Sequence, residues 1–385
     1  MKIDLTRIAT GFTGEYCYTH ARGVQTPDGF SIITTQKLRL SGCDVFYGIE
    51  FLTSTDSGAR WSAIRPSAAL DRQKLPDGVE QVMCDATPMY HRATGKIILI
   101  GVDVFYKNDQ QLEQACPRHT LWSVFDRDKM DFCRFRLLEM PDPDEYYLCG
   151  CGCGQSLELP GGDLLIPVYY RPRNAGNDPR KRIVRSTVLR CAFDGDNLAL
   201  LEIGTPAAIE STVCEPSIIR FKDEFFLCLR HSERGYVCKS RDGLHFDTPR
   251  VLCFDDGAES GNYSTQQHWL TCGGKLCLVY TRRGANNDHI FRHRAPLFIA
   301  EFDPERMCLI RATEQIAVPE RGARLGNFCC TNPSQNEAMV IVSEWMQTTA
   351  PDPYDWHRCM SFGSDNSIFI ARITPDNGEK LLKNN

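Results

Sequence analysis

The chain has 385 residues and a formal net charge of −5, with 42% of its residues hydrophobic and 24% charged. That balance excludes a disordered chain and a polybasic binder of nucleic acid or membrane surface, and it is ample for a large core. In the amino-terminal M-K-I-D-L-T-R-I-A-T, Asp4 and Arg7 stand where a secretion signal needs its apolar segment, and no run approaches the ~20 apolar residues of a membrane span. The 19 cysteines are an odd number scattered through strand-like segments, which predicts a reduced, cytoplasmic setting rather than a disulfide framework.

Strand-like runs bounded by turn residues follow one another along almost the whole chain, and no amphipathic helical pattern longer than about three turns interrupts them. The expectation is an all-β chain forming one domain over residues 1–385. A short run at 3–9 comes first. Six groups of three or four strands follow, at 16–62, 79–140, 148–204, 213–252, 263–319 and 325–373. The fourth shows the pattern most plainly, with runs at 214–221, 224–230, 235–240 and 248–254. Such groups predict a six-bladed β-propeller of four-stranded antiparallel blades. The leftover run at 3–9 is expected to close the ring by joining the last blade.

Two turns mark a repeat. S-T-D-S-G-A-R-W, from Ser54 to Trp61, follows the third strand of the first group, and S-R-D-G-L-H-F, from Ser240 to Phe246, follows the third strand of the fourth. The aspartate caps backbone N–H groups and the glycine takes positive φ. In a propeller the third-to-fourth turn lies on the face opposite the starts of the first strands, so Asp56 and Asp242 are expected to be structural pins. In L-C-G-C-G-C-G, Cys149, Cys151 and Cys153 would share one face of a strand. Without a C-x-x-C knuckle they read as small buried residues, and no metal or organic cofactor is implied.

On the other rim, first-strand starts and second-strand ends carry the chemistry. The first group places His20 and Arg22 there, with Asp44 in its second-to-third loop, and the second places Asp85. Arg171 belongs to the third group, Glu215 and Arg230 to the fourth. The fifth supplies Tyr263, Gln266, Arg282, Arg283, His293 and Arg294. So many arginines, histidines and carboxylates on one rim of a net-acidic chain suit a carboxylate-bearing ligand.

The Ser-x-Asp-x-Gly-x-x-Trp spacing resembles the Asp-box, or BNR repeat, of the sialidase superfamily. The stretch C-E-P-S-I-I-R-F-K-D-E-F-F-L-C-L-R, ending at Arg230, resembles that family's blade in which Glu-Pro opens an inner strand and Arg ends the next. The resemblance implies that Glu215 supports a tyrosine nucleophile and that Arg230 belongs to a triad clamping the sugar carboxylate. D-V-F-Y-G-I-E-F-L-T-S-T-D-S-G-A-R-W resembles the segment joining the family's acid/base aspartate to its first Asp-box, which implies Asp44 as general acid. C-D-A-T-P-M-Y-H-R-A-T-G-K-I-I-L, which contains Asp85, looks like its second blade. Two departures stand out: T-H-A-R-G replaces Arg-Ile-Pro in the first blade, and Tyr263-Ser264-Thr265 opens the fifth blade rather than the last.

The expected activity is sialidase-like hydrolysis of a carboxylate-bearing glycan or oligosaccharide, with Asp44 as acid and Tyr263, polarised by Glu215, opposite it. Two alternatives stay open. His20, with Arg22, Tyr263 and His293 near it, has the parts for β-elimination at a uronic acid or for a histidine-dependent glycosidase. A propeller that binds glycan without chemistry is the other. Asp44 could equally be a plain turn residue after Ser41 and Gly42. The partner expected is an acidic sugar, with no nucleic acid and no membrane; composition leaves the oligomeric state open.

Overall fold

The computed structural model describes residues 1–40, 44–112, 116–173, 183–207, 209–349 and 351–376. Its β-branched and aromatic runs form strands that assemble into six antiparallel sheets. In the first, Tyr16–Gln25, Ser31–Arg39 and Phe46–Ser54 are joined by the two-residue strand Arg65–Pro66. The fourth runs Cys214–Phe221, Glu224–Arg230, Tyr236–Ser240 and Arg250–Val251. The sixth is Phe328–Ser334, Glu337–Ser343 and Ile368–Thr374, and Lys2–Ile8 adds to its outer edge in register from Lys2 opposite Thr374 to Ile8 opposite Ile368. The described residues contain one α-helix, Trp356–Ser361.

Period-two alternation explains how each sheet serves two cores. In Lys96–Lys107 of the second sheet, Ile97 and Leu99 face Ile32, Ile49 and Phe51 of the first. Ile98 and Ile100 face Leu164, Ile166 and Leu189 of the third. In Glu224–Arg230, Phe225 and Leu227 pack toward the third sheet, while Phe226 and Cys228 pack toward Trp269 and Leu278 of the fifth. The fifth and sixth share a core around Leu270, Val279, Phe328 and Val340, and the sixth and first share another around Ile341, Ile370, Ala21 and Ile33. Burying each such Leu, Ile or Phe contributes about 1.5–3 kcal/mol. The arrangement is an all-β propeller of four-stranded antiparallel blades, with the innermost strands side by side around a common axis.

Both repeat turns close as their sequences require. Ser54 Oγ donates to Asp56 Oδ1 at 2.8 Å and accepts from the Gly58 amide at 2.9 Å; Asp56 Oδ1 also accepts from the Arg60 amide at 2.9 Å. In the second turn Asp242 Oδ1 takes the Leu244 and His245 amides at 2.9 and 2.8 Å. The Ser57 amide reaches the Gly29 carbonyl in the first-to-second-strand connection, at the end of the sheet away from His20.

The L-C-G-C-G-C-G expectation needs correction. The strand ends at Gly150, so the three thiols do not share a face. Cys149 and Cys151 enter the core between the second and third sheets, whereas Cys153 lies against Arg22 and Asp85. The glycines are there for space: a Cβ on Gly150 or Gly152 would come within 2.6 or 2.7 Å of the Val102 methyls and 3.3 Å of the Tyr169 hydroxyl.

Candidate functional site

Five innermost segments share one backbone device, and in four of them it brings a side chain, His20, Asp85, Cys153 or Glu215, to the axis. His20, Asp85, Cys153, Glu215 and Ser264 hold φ of +56°, +53°, +59°, +47° and +53°. In the first, second and fourth sheets the left-handed residue sits in a β-bulge, marked by register shifts between Thr19 and Arg22, Cys84 and Thr87, and Cys214 and Ser217. In the third and fifth it lies just ahead of Leu157–Glu158 and of His268–Cys272. A bulge re-aims the side chain out of the pleat. Left-handed backbone at a non-glycine residue costs about 1–3 kcal/mol and collects where function requires it.

His20 is 3% exposed, between Phe46 (ring centroids 4.8 Å apart) and the edge of Trp345 (5.4 Å). Its Nδ1 lies 3.2 Å from Oδ1 of Asp85 but off the line of a hydrogen bond, so neither ring nitrogen has a hydrogen-bond partner among the described residues. Burial lowers its pKa to about 4, leaving a neutral imidazole at pH 7. Asp85 also accepts from the Cys153 thiol at 3.0 Å. Burial opposes its ionisation, yet the charges of His20 and Arg22 and the Cys153 hydrogen bond hold its pKa below the ordinary value.

Arg22 is not a rim residue, as the sequence suggested, but part of the floor. It is fully buried, donating to the Asp85 carbonyl at 2.5 Å and toward Cys153 Sγ at 3.1 Å. Glu215 is ion-paired with Arg230. The tyrosine beside Glu215 is Tyr169 rather than Tyr263: Tyr169 is hydrogen-bonded to Arg118, and burial first, then Asp85 and Glu215, push its phenol well above the ordinary value against the pull of Arg118.

Arg294 and Arg324 are 5% and 4% exposed, and the Nε of each finds no hydrogen-bond partner among the described residues. Arg294 donates to the Ser264 carbonyl, and Arg324 lies over the Trp345 ring at 3.4 Å. Burial and then repulsion from Arg324 and Arg230 pull Arg294 well below its ordinary pKa. Burial takes Arg324 down to about 9, with the Asp44 carboxylate opposing. Asp44 itself is left-handed, at φ +48°, and its carbonyl accepts the Tyr106 hydroxyl at 2.6 Å; Ser41 and Gly42 lie outside the described residues. Around the axis Arg22, Arg118, Arg230, Arg294 and Arg324 outnumber Asp44, Asp85 and Glu215 by five to three. The site is short of negative charge.

Several sequence candidates have other partners. Arg282 makes a bidentate pair with Glu314, at 2.9 and 2.7 Å, and is thereby committed to its own sheet. Gln266 is 1% exposed and donates to the Phe328 carbonyl at 3.0 Å. Arg283 reaches the Glu233 carbonyl at 2.8 Å and covers the Tyr263 ring. Tyr263 bonds to His293 and not to Glu215, so the expected Glu215–Tyr263 partnership does not form. Arg171 ends the strand Leu164–Arg171, opposite Leu148. The sequence reading missed Arg118, Tyr169, Arg324 and the aromatic wall of Phe46 and Trp345. Of these only Arg324, in R-G-A-R-L-G-N just ahead of a first strand, carried a positional signal. A pocket of about 200 Å³ lined by Pro27, Tyr90, Gln155, Glu158 and Asn332 opens at the far ends of the innermost strands, away from this cluster.

No protein-family model and no curated protein matches the chain. Solved structures do. A protein of unknown function from Dyadobacter fermentans DSM 18053 superposes with a TM-score of 0.67 at 12% identity, over 97% of this chain and 99% of that one. Trypanosoma rangeli sialidase gives 0.63 at 14% identity over 98% of this chain, which spans 60% of the sialidase. NanB sialidase from Streptococcus pneumoniae gives 0.61 at 11%, over 94% of this chain and 70% of that one. Likeness at such identity defines the class of fold, a sialidase-like β-propeller.

Proposed function

We propose that this chain is a six-bladed propeller, its ring closed by Lys2–Ile8, that binds a carboxylate-bearing sugar at the arginine-rich cup and hydrolyses the glycosidic bond to it. The observation that carries the reading is the pair Arg294 and Arg324, two buried guanidiniums with unpartnered Nε atoms. Buried charge of one sign is costly unless a partner arrives, and a carboxylate fits the guanidinium fork. Arg230, fixed by Glu215, completes the cationic side. Asp44 is the general acid, placed where its charge acts on both His20 and Arg324. Phe46 and Trp345, both nearly buried, wall in His20 and Arg324 on the apolar side of the cup. The setting is the cytoplasm and the substrate a short oligosaccharide; the described cysteines are free thiols, consistent with that.

Calorimetry with a uronic or sialic acid glycoside and its methyl ester tests the reading. The acid binds and the ester binds at least tenfold more weakly, and Arg324→Met weakens binding of the acid roughly 30-fold, about 2 kcal/mol. Equal binding of acid and ester by the wild type would overturn it.

One observation favours a second chemistry on the same ligand. A neutral His20 beside Asp85, with the Tyr169 phenol held by Arg118, is an acid–base set suited to β-elimination. Elimination leaves a conjugated double bond that absorbs in the far ultraviolet, whereas hydrolysis leaves a reducing end alone. New absorbance with uronic acid oligosaccharides, lost in His20→Ala, selects elimination. Under hydrolysis Asp44→Asn lowers turnover roughly 10²–10⁴-fold while activated aryl glycosides are largely spared.

A further inference from the structure

Tyr263 stands ahead of the innermost strand of the fifth sheet, half-buried, with the Arg283 guanidinium 4.2 Å from its ring centroid. Its hydroxyl is 2.6 Å from Nδ1 of His293, and Nε2 of His293 is 3.0 Å from Oδ1 of Asp288. A carboxylate at Nε2 favours the tautomer with its proton there, which leaves the Nδ1 lone pair facing the phenol. The phenol donates and the imidazole accepts. The loop is held for this contact: Asn287, 1% exposed, donates to the Arg282 carbonyl at 2.9 Å and to the Ala295 carbonyl at 2.7 Å. Arg292 and His293 are consecutive left-handed residues, at φ +54° and +53°, and Ser264 beside Tyr263 is a third at +53°. Strained backbone persists only where its surroundings over-determine it. Burial raises the Tyr263 phenol above its ordinary pKa, with Arg283, Arg292 and Arg294 opposing, so the oxygen keeps its proton until His293 takes it.

We propose that Asp288, His293 and Tyr263 form a proton relay that makes the Tyr263 oxygen the general base for the water attacking at the cup. This rests on the hydrolytic reading above. As the water oxygen bonds to the anomeric carbon, the glycosidic C–O bond breaks and the leaving oxygen takes the proton of Asp44. The water gives a proton to the Tyr263 oxygen while the Tyr263 proton moves to Nδ1 of His293. The imidazolium is held by Asp288, whose side chain is 96% exposed, and solvent there returns the proton to Asp44 before the next turnover. No bond between sugar and tyrosine forms. His293 and Asp288 are positioning residues, acting through Tyr263.

An aryl sulfonyl fluoride tests the relay without substrate, because attack by the Tyr263 oxygen on sulfur expels fluoride and passes the phenol proton to His293. Peptide mass mapping of the intact chain should find Tyr263 modified about tenfold faster than the other solvent-accessible tyrosines. His293→Gln and Asp288→Asn should remove that advantage, and added imidazole should restore it in His293→Ala. Labelling at Tyr263 that is no faster than elsewhere, or is unchanged in His293→Gln, overturns the relay. A second arm measures turnover of an acidic aryl glycoside, for which Tyr263→Phe should lose at least about 100-fold. Turnover unchanged in Tyr263→Phe, or a trapped glycosyl adduct on Tyr263, overturns the base role. Fast, His293-dependent labelling with no turnover by the wild type overturns the hydrolytic reading and the base role with it, and leaves the relay standing.

Discussion

Two buried histidines set how the protein responds to acid. Burial lowers His20 from 6.5 to about 4, and His268, whose Nδ1 meets the Ser217 hydroxyl at 2.8 Å, to about 3. An unfolded chain binds protons at both below pH 6.5, but the folded chain does not until pH 4 or 3. Their contribution to stability is therefore fully present above pH 6.5 and is lost as the pH falls through that window, by roughly 1.4 kcal/mol per pKa unit for each. His119, raised by Asp103 at 2.6 Å although burial opposes, works in the other direction. The urea midpoint should drop between pH 7 and pH 5, and His268→Gln should make the drop shallower; a midpoint unchanged over that interval would refute the account. His20, Asp85 and Glu215 were legible in the sequence because each opens or interrupts a strand at a recognisable place. Arg118 and Tyr169 were not, because they reach the axis from positions that only the assembled ring brings together. Tyr263 was legible as a rim residue, but its partner was not: His293 arrives through a left-handed loop whose path no periodicity reveals.

At the level of the element, antiparallel four-stranded sets could be read from strand-length runs between turn signals, because alternation that feeds two cores leaves a continuous apolar run with sharp ends. The turns were only half legible. Ser54-x-Asp56 and Ser240-x-Asp242 share a spacing, but three further third-strand ends use Phe-Asp followed two residues on by a second acidic residue, at Asp126, Asp194 and Asp303. Each of these takes two backbone N–H groups with one carboxylate oxygen, as Asp242 does. The hydrogen bonding recurs although the residues do not. Because such turns lie at the end of the sheet away from His20, Asp242→Ala should lower stability by about 1 kcal/mol and leave turnover per folded molecule unchanged. Denaturant titration and an activity assay normalised to folded protein check this, and loss of activity in a folded Asp242→Ala protein would refute the face assignment.

For the whole molecule, Lys2–Ile8 pairs with Ile368–Thr374 at the outer edge of the sixth sheet, helped by the Met1 amino group on Asp376 at 2.8 Å and by Met1 and Ile3 against the core between the fifth and sixth sheets. Removing residues 1–9 should bare the edge of Ile368–Thr374, lower the melting temperature and promote self-association through that edge. Light scattering on the truncated chain tests this, and a monomer with unchanged melting would contradict it. The left-handed bulges have a different kind of consequence. Four sheets each aim one side chain at the axis from a left-handed residue, His20, Asp85, Cys153 and Glu215, while the ladders on either side keep their pairing. Because the left-handed backbone and not the ladder aims these side chains, exchanging one changes the chemistry presented at the axis while the strand pairing stays as it is, so a lineage built on this scaffold can change what it binds one codon at a time.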